Sequence, residues 1–133
     1  MSSQPLGRFA TVGPDGRLRV MPVGVFYDPE TQTIVIGGHA GSDMAVSKKF
    51  RDARSRPDVA FVVDDLVSVD PWTARFIEIR GRAETYTYGG EEVGKRINAN
   101  MPFDSAFIRI RPRRILAMGI DGEPFELSAR DVA

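Results

Sequence analysis

The sequence predicts a mainly β fold, an antiparallel barrel or sandwich, and three observations carry that prediction. About six strand-like runs stand against one clear helix and one weak one. Turn chemistry recurs along the whole chain. The strands are joined by those turns rather than by crossover helices, which argues against a doubly wound parallel sheet.

Leu6 to Val12 is a short apolar run, and Gly13-Pro14-Asp15-Gly16 turns the chain into Arg17 to Phe26, so the two form a hairpin. In the second run Leu18 and Val20 face one way and Arg17, Arg19 and Met21 the other. Pro22 has no amide proton, which places it at an edge or a bulge. After the turn Asp28 to Gln32, the β-branched run Thr33-Ile34-Val35-Ile36 stops at Gly37-Gly38 and completes an expected three-strand meander. A basic helix begins at Ser47 and ends near Ser55, because Pro57 disfavours a helical residue before it. Val59 to Val63 is a buried strand that Asp64-Asp65 returns to solvent. Leu66 to Trp72 reads as a shaped loop and Arg75 to Thr87 as the longest strand. Glu91 to Asn100 is the weak helix, with acids early and Lys95-Arg96 late, as the helix dipole favours. Ala106 to Ile110 and Arg114 to Gly119 form a last strand or pair, pinched at Pro112. The tail from Asp121 to Ala133 is a candidate for a short returning strand.

At 133 residues the expectation is a single domain, 1–133, large enough for its own core. The net charge of zero argues against nucleic-acid or membrane adhesion, which demand a positive excess. With no cysteine and one histidine, His39, disulfides, thiolate metal sites and multi-histidine centres are excluded, and no metal is expected. The start, Met1-Ser2-Ser3-Gln4-Pro5, has no basic and apolar leader, so a soluble cytoplasmic protein is expected.

From Ser47 to Pro57 there are five basic residues and one acid, in a chain of zero net charge. One reading is functional: Gly37 and Gly38 let a ligand approach the backbone, and Ser47, Lys48 and Lys49 at a helix start seat a phosphate. The other is an amphipathic surface helix, with Val46, Phe50 and Ala53 on one face and Lys48, Arg51 and Ser55 opposite. Residue pattern leaves both open.

The ordered set Leu6-Gly7-Arg8-Phe9-Ala10-Thr11-Val12, Val20-Met21-Pro22-Val23-Gly24, Ile36-Gly37-Gly38-His39, Ser47-Lys48-Lys49-Phe50-Arg51, Pro57 to Asp65, Asp70-Pro71-Trp72, Glu78 to Glu84 and Ile110 to Ile115 resembles the pyridoxamine 5′-phosphate oxidase-like flavin and deazaflavin family, in particular its actinobacterial branch of F420-dependent reductases. The resemblance runs from Leu6 to about Asp121 and rests on order and spacing rather than on one motif. It implies a six-stranded antiparallel split β-barrel of Greek-key type with one or two short helices, the FMN-binding fold of that family. It also implies a homodimer with two cofactor sites in its interface. By the same resemblance Ser47, Lys48 and Lys49 hold the cofactor phosphate, Met21, Pro22, Val23 and Gly24 lie against the ring, and Gly37 and Gly38 flank the ribityl chain. Trp72 and the stretch Arg114 to Met118 contribute pocket wall.

Three departures narrow the expectation. Five residues precede Leu6, where many relatives carry a helix that serves as a lid. Met118 stands where relatives often have tryptophan. The tail Ser128 to Ala133 lacks the Arg-x-His that vitamin-processing oxidases of the family use, which argues against pyridoxamine phosphate as substrate. What the resemblance implies is a cytoplasmic oxidoreductase that passes a hydride from reduced coenzyme F420 to a small unsaturated organic molecule, with FMN as the alternative cofactor. A non-catalytic carrier of F420, a tetrapyrrole or a fatty acid is the rival. No catalytic acid or base is identifiable, and an enzyme with few ionisable catalytic residues is what the redox chemistry permits, since the cofactor carries the hydride. The absence of a Gly-x-Gly-x-x-Gly crossover unit argues against nicotinamide as donor.

Overall fold

A computed structural model describes residues 6–120 and 122–132; the expectation about a helix before Leu6 lies outside these residues. The strands are β1 (Leu6–Val12), β2 (Leu18–Gly24), β3 (Phe26–Asp28), β4 (Thr33–His39), β5 (Asp58–Val69), β6 (Trp72–Tyr86), β7 (Phe103–Met118) and β8 (Leu127–Asp131). The helices are α1 (Lys48–Ser55) and α2 (Gly90–Arg96), and a 3-10 turn at Met44–Val46 leads into α1.

All pairings are antiparallel, in one sheet of order β2-β1-β5-β6-β7-β4-β3, with β8 added to β7. The two ends of that order, β2 and β3, are separated in the chain by Val25 alone. A sheet whose edges are one residue apart has to curl until they meet, and this makes the architecture a barrel rather than a sandwich.

Alternation along the strands fills the interior. Phe9, Ile34, Ile36, Phe61, Ile79, Ile108 and Ile110 form its core, and Met44, Phe50 and Ala53 from the 3-10 turn and α1 join it. A second, smaller core lies on the outer face of β4 and β7. There Val35, Phe103 and Phe107 pack under α2, with Phe26 edge-on to Phe103 and Tyr86 stacked on Phe107. Beside it, fully buried Asp28 accepts from Arg96 Nη2 (2.7 Å) and Arg109 Nη1 (2.8 Å), and Arg109 Nη1 also reaches Thr31 and Thr33. Arg96 chiefly, with Arg109 and Thr31, holds the Asp28 carboxyl well below the usual carboxylate range against the opposing effect of burial.

The first hairpin has the expected partners, Leu6↔Gly24 through Val12↔Leu18, and Pro22 is on an edge strand, since β2 pairs only with β1 in the sheet order. The expected meander is corrected: β4 pairs with β3 and β7, not with β2, because the chain changes sheet edge at Val25. β4 continues through Gly37 and Gly38 to His39. The expected loop Leu66 to Trp72 is mostly strand: β5 runs to Val69, shifts register between Leu66 and Ser68, and turns at Asp70-Pro71 into β6. The strand after Phe103 is unbroken and, at 16 residues, longer than β6 at 15. Pro112 is tolerated there because it faces Gly81 at a register shift. The weak helix is real but ends at Arg96 rather than Asn100, and the tail does return as β8 on β7. No helix among the described residues is long and apolar enough to cross a membrane, and no cluster of His, Asp or Glu among them has the makings of a metal site.

Candidate functional site

The segment between β4 and α1 is built by close approach. A side chain on Gly38 would stand 2.7 Å from Ser42 Oγ and 2.9 Å from Met44 Cβ, so the loop folds onto the strand only because that side chain is missing. Gly37 likewise faces the Phe103 ring, 2.6 Å from an added Cβ. Both glycines therefore admit the protein's own atoms rather than making a turn. Asp104 then accepts the Met44 N–H at 2.8 Å. That amide, with those of Ser105, Gly41 and Asp43, keeps its carboxyl below the ordinary range and pins the loop.

Ser47 begins the helix. Its hydroxyl donates to the Met44 carbonyl (2.7 Å) and accepts from Phe50 N–H (3.3 Å), which is how an N-cap serves both sides of a helix start. The Ser47 side chain is thus committed locally. Lys48 is exposed and Lys49 half-buried. Burial pushes the Lys49 ammonium below the usual lysine value, and no anion pairs with it among the described residues. Such a group gains most from a ligand that brings negative charge.

Met21 packs against the core, Val23 is buried, and Pro22 is exposed on the edge of the sheet. The outer edge of β2 has no ladder partner in the sheet order, so its backbone can face a ligand. A contact through Asp52 of α1 joins this strand to the basic helix: Arg19 Nε lies 3.5 Å from Asp52 Oδ2. The structure therefore groups Gly37, Gly38, Ser47, Lys48 and Lys49 around one loop, and the Arg19–Asp52 contact links the basic helix to the strand that carries Met21 to Gly24.

Trp72 is not part of that group within one chain. It sits at the far end of the β5–β6 hairpin, 61% exposed and stacked on Phe125 at 6.3 Å. β5, which starts just after α1, has 12 residues and spans on the order of 35–40 Å. An open apolar cleft of about 640 Å³, lined by Ile77, Ile79, Ile115, Ala117 and Ala129 among others, lies between β6, β7 and β8, and none of the predicted phosphate or ring residues lines it. The arginines of β7 are mostly used internally: Arg109 serves Asp28, Arg111 pairs with Glu84 and Arg114 with Asp131.

Sequence reasoning missed the network in which Arg96 and Arg109 hold buried Asp28, and it missed Asp52. For Asp52 a signal existed, since it is the one acid in the basic run and sits beside Ala53 of the apolar face.

Comparison with known proteins gives this geometry its context. Residues 1–119 match the profile of a family described as pyridoxamine 5′-phosphate oxidase. The chain is 39% identical, over 99% of its length and 87% of the relative's, to a 5a,11a-dehydrotetracycline/5a,11a-dehydrooxytetracycline reductase of Streptomyces rimosus. Among solved structures it resembles an F420 reductase (TM-score 0.60, 22% identity, 84% of this chain and 90% of that one). It also resembles the FAD binding protein of Mycobacterium smegmatis (TM-score 0.61, 21% identity, 86% and 84%).

Proposed function

Because the chain belongs to the pyridoxamine 5′-phosphate oxidase family, we propose that it is an F420-dependent reductase that works as a homodimer on an unsaturated organic acceptor. The observation that carries the cofactor assignment is Lys49, a half-buried ammonium that forms no ion pair among the described residues. A phosphate ester satisfies that group. FMN would satisfy it as well; we take the deazaflavin first, a reading that a structural neighbour named as an F420 reductase supports.

When bound, reduced F420 supplies the hydride. The chain's own residues bind and orient. Lys49 and Lys48 hold the phosphate, with Ser47 fixing the start of their helix. The unpaired edge of β2 at Met21 to Gly24 provides the bed for the ring, and Gly37 and Gly38 shape the loop beside it. Trp72 closes a pocket only if it comes from the partner subunit, given its distance along the hairpin. Most of the rate enhancement then comes from orientation and from excluding water. The relative named for reducing dehydrotetracyclines supports a polycyclic enone as acceptor.

The test has two arms. F420 and FMN are titrated separately with cofactor fluorescence as readout, and reduced F420 is then mixed with protein and a panel of enones, quinones and tetrapyrroles. The expected result is tight F420 binding and protein-dependent reoxidation with an enone. Tight binding without turnover on any acceptor would make the protein a carrier. Binding of neither cofactor below about millimolar, where only about 4 kcal/mol of affinity is present, would overturn the assignment.

A further inference from the structure

We propose that Asp52 is a positioning residue: its buried carboxylate clamps α1 to the first hairpin and so sets the spacing between the phosphate seat and the ring bed. The inference rests on the cofactor reading above and goes beyond it by naming what couples the two half-sites.

Asp52 is 2% exposed, next to Ala53 and as buried in α1 as Phe50. A small apolar residue would pack there without the desolvation penalty of a carboxylate, so the charge calls for a role beyond packing. Its partners supply one. Thr11 Oγ1 donates to Asp52 Oδ2 at 2.9 Å, and Arg19 Nε approaches the same oxygen at 3.5 Å. Thr11 and Arg19 are direct cross-strand partners in the β1–β2 ladder. One oxygen therefore bridges a single rung of the hairpin and fixes both the rotation of α1 and its position along that rung.

The two half-sites lie one step away on either side. Lys49 precedes Asp52 by three residues, which places their Cβ atoms about 5–6 Å apart on the helix. Met21 follows Arg19 by two residues on the same face of β2, about 6.8 Å along the strand. No hydrogen bond or ion pair other than the Arg19–Asp52 contact joins the α1 side chains to β2 among the described residues. A rigid ligand with a phosphate at one end and a ring at the other benefits from a fixed spacing; two loose halves do not.

The experiment compares F420 with its phosphate-free deazaflavin core. In the wild type the affinity ratio between them, the phosphate advantage, is expected to be about tenfold or more, as for a charged hydrogen bond. Asp52→Asn keeps the shape and weakens the clamp. It is expected to leave binding of the core within about twofold while cutting the phosphate advantage by about fivefold or more. In its background Lys49→Ala should cost correspondingly less than in the wild type. Thr11→Val removes one arm only and should move the ratio the same way by less, and it carries the test if Asp52→Asn fails to fold. A phosphate advantage unchanged in these variants, or equal losses for both ligands, would overturn the clamp and leave Asp52 a purely structural group. A wild-type ratio near one would instead overturn the phosphate seat itself.

Discussion

The two ends of the curled sheet are finished differently. At the β3–β4–β7 end the outer face is covered by α2, and Val35, Phe103 and Phe107 pack beneath it beside the Asp28–Arg96–Arg109 network. At the β1–β2–β5 end the outer face is bare, with Leu18 82% and Val20 69% exposed over a shallow groove of about 410 Å³ lined by Ala10, Val12 and Ala60. One end is complete within a single chain. The other presents apolar surface, where the proposed second copy would pack, and the proposed ring bed lies on its edge strand.

The largest effect is expected at the finished end. Asp28→Ala leaves Arg109 buried without its carboxylate and is expected to lower the unfolding free energy by about 3–5 kcal/mol, measured by chemical denaturation. Cofactor affinity of the folded fraction should not change. If stability falls by less than about 1 kcal/mol, the network is not what holds that end together.

At the bare end the largest effect should be on binding. Lys49→Ala is expected to weaken F420 by about 1.5–3 kcal/mol, or roughly 10- to 150-fold, with stability unchanged or slightly raised, since a desolvated cation is removed. Isothermal titration and thermal melts separate the two effects. Equal affinity in the variant would move the phosphate seat elsewhere.

Val20→Asp sharpens the contrast more gently. It sets a charge on the exposed outer face and should convert a dimeric mass to a monomeric one by light scattering at micromolar concentration. The stability of the monomer itself should stay within about 0.5 kcal/mol, as for other surface substitutions. A wild type that is already monomeric would sink the dimer.

The smallest effect at neutral pH is the titration of Asp28. Its folded carboxyl titrates below the unfolded value, so the stability it contributes is fully present above the ordinary carboxylate range. That stability is lost progressively as pH falls from about 4 towards the folded value. Denaturation midpoints should be flat from about pH 7 to pH 5 as far as this group is concerned and decline below about pH 4. Asp28→Asn should flatten part of that decline; an unchanged slope would assign the acid sensitivity to other carboxylates.

How much of this was legible in the sequence depended on the range of the interaction. The first hairpin and α1 were readable because a local turn, the proline at 57 and helical spacing decide them. Leu66 to Val69 was not, because its exposed valines become a strand only by continuing a ladder with Ala74 to Trp72. Pro112 argued for a break that the register shift at Gly81 removes. Asp28 meets Arg96 and Arg109 across 68 and 81 residues, a pairing that exists only once the sheet order is known. In the candidate site the basic run and the glycines could be named, yet what Gly38 admits, and the bridge from Asp52 to a hairpin rung 41 residues away, exist only once the strands are paired.

The one-residue junction at Val25 also constrains how the chain folds. The β1–β2 and β3–β4 hairpins are neighbours in sequence but opposite margins of the finished sheet, so they can form early and independently while the registers β1↔β5 and β4↔β7 await distant segments. Closure is then a late event with a large search entropy, and refolding is expected in the millisecond-to-second regime of high-contact-order proteins. A glycine spacer inserted after Val25 slackens the joint between the margins, so stopped-flow measurements should find unfolding accelerated more than refolding is slowed.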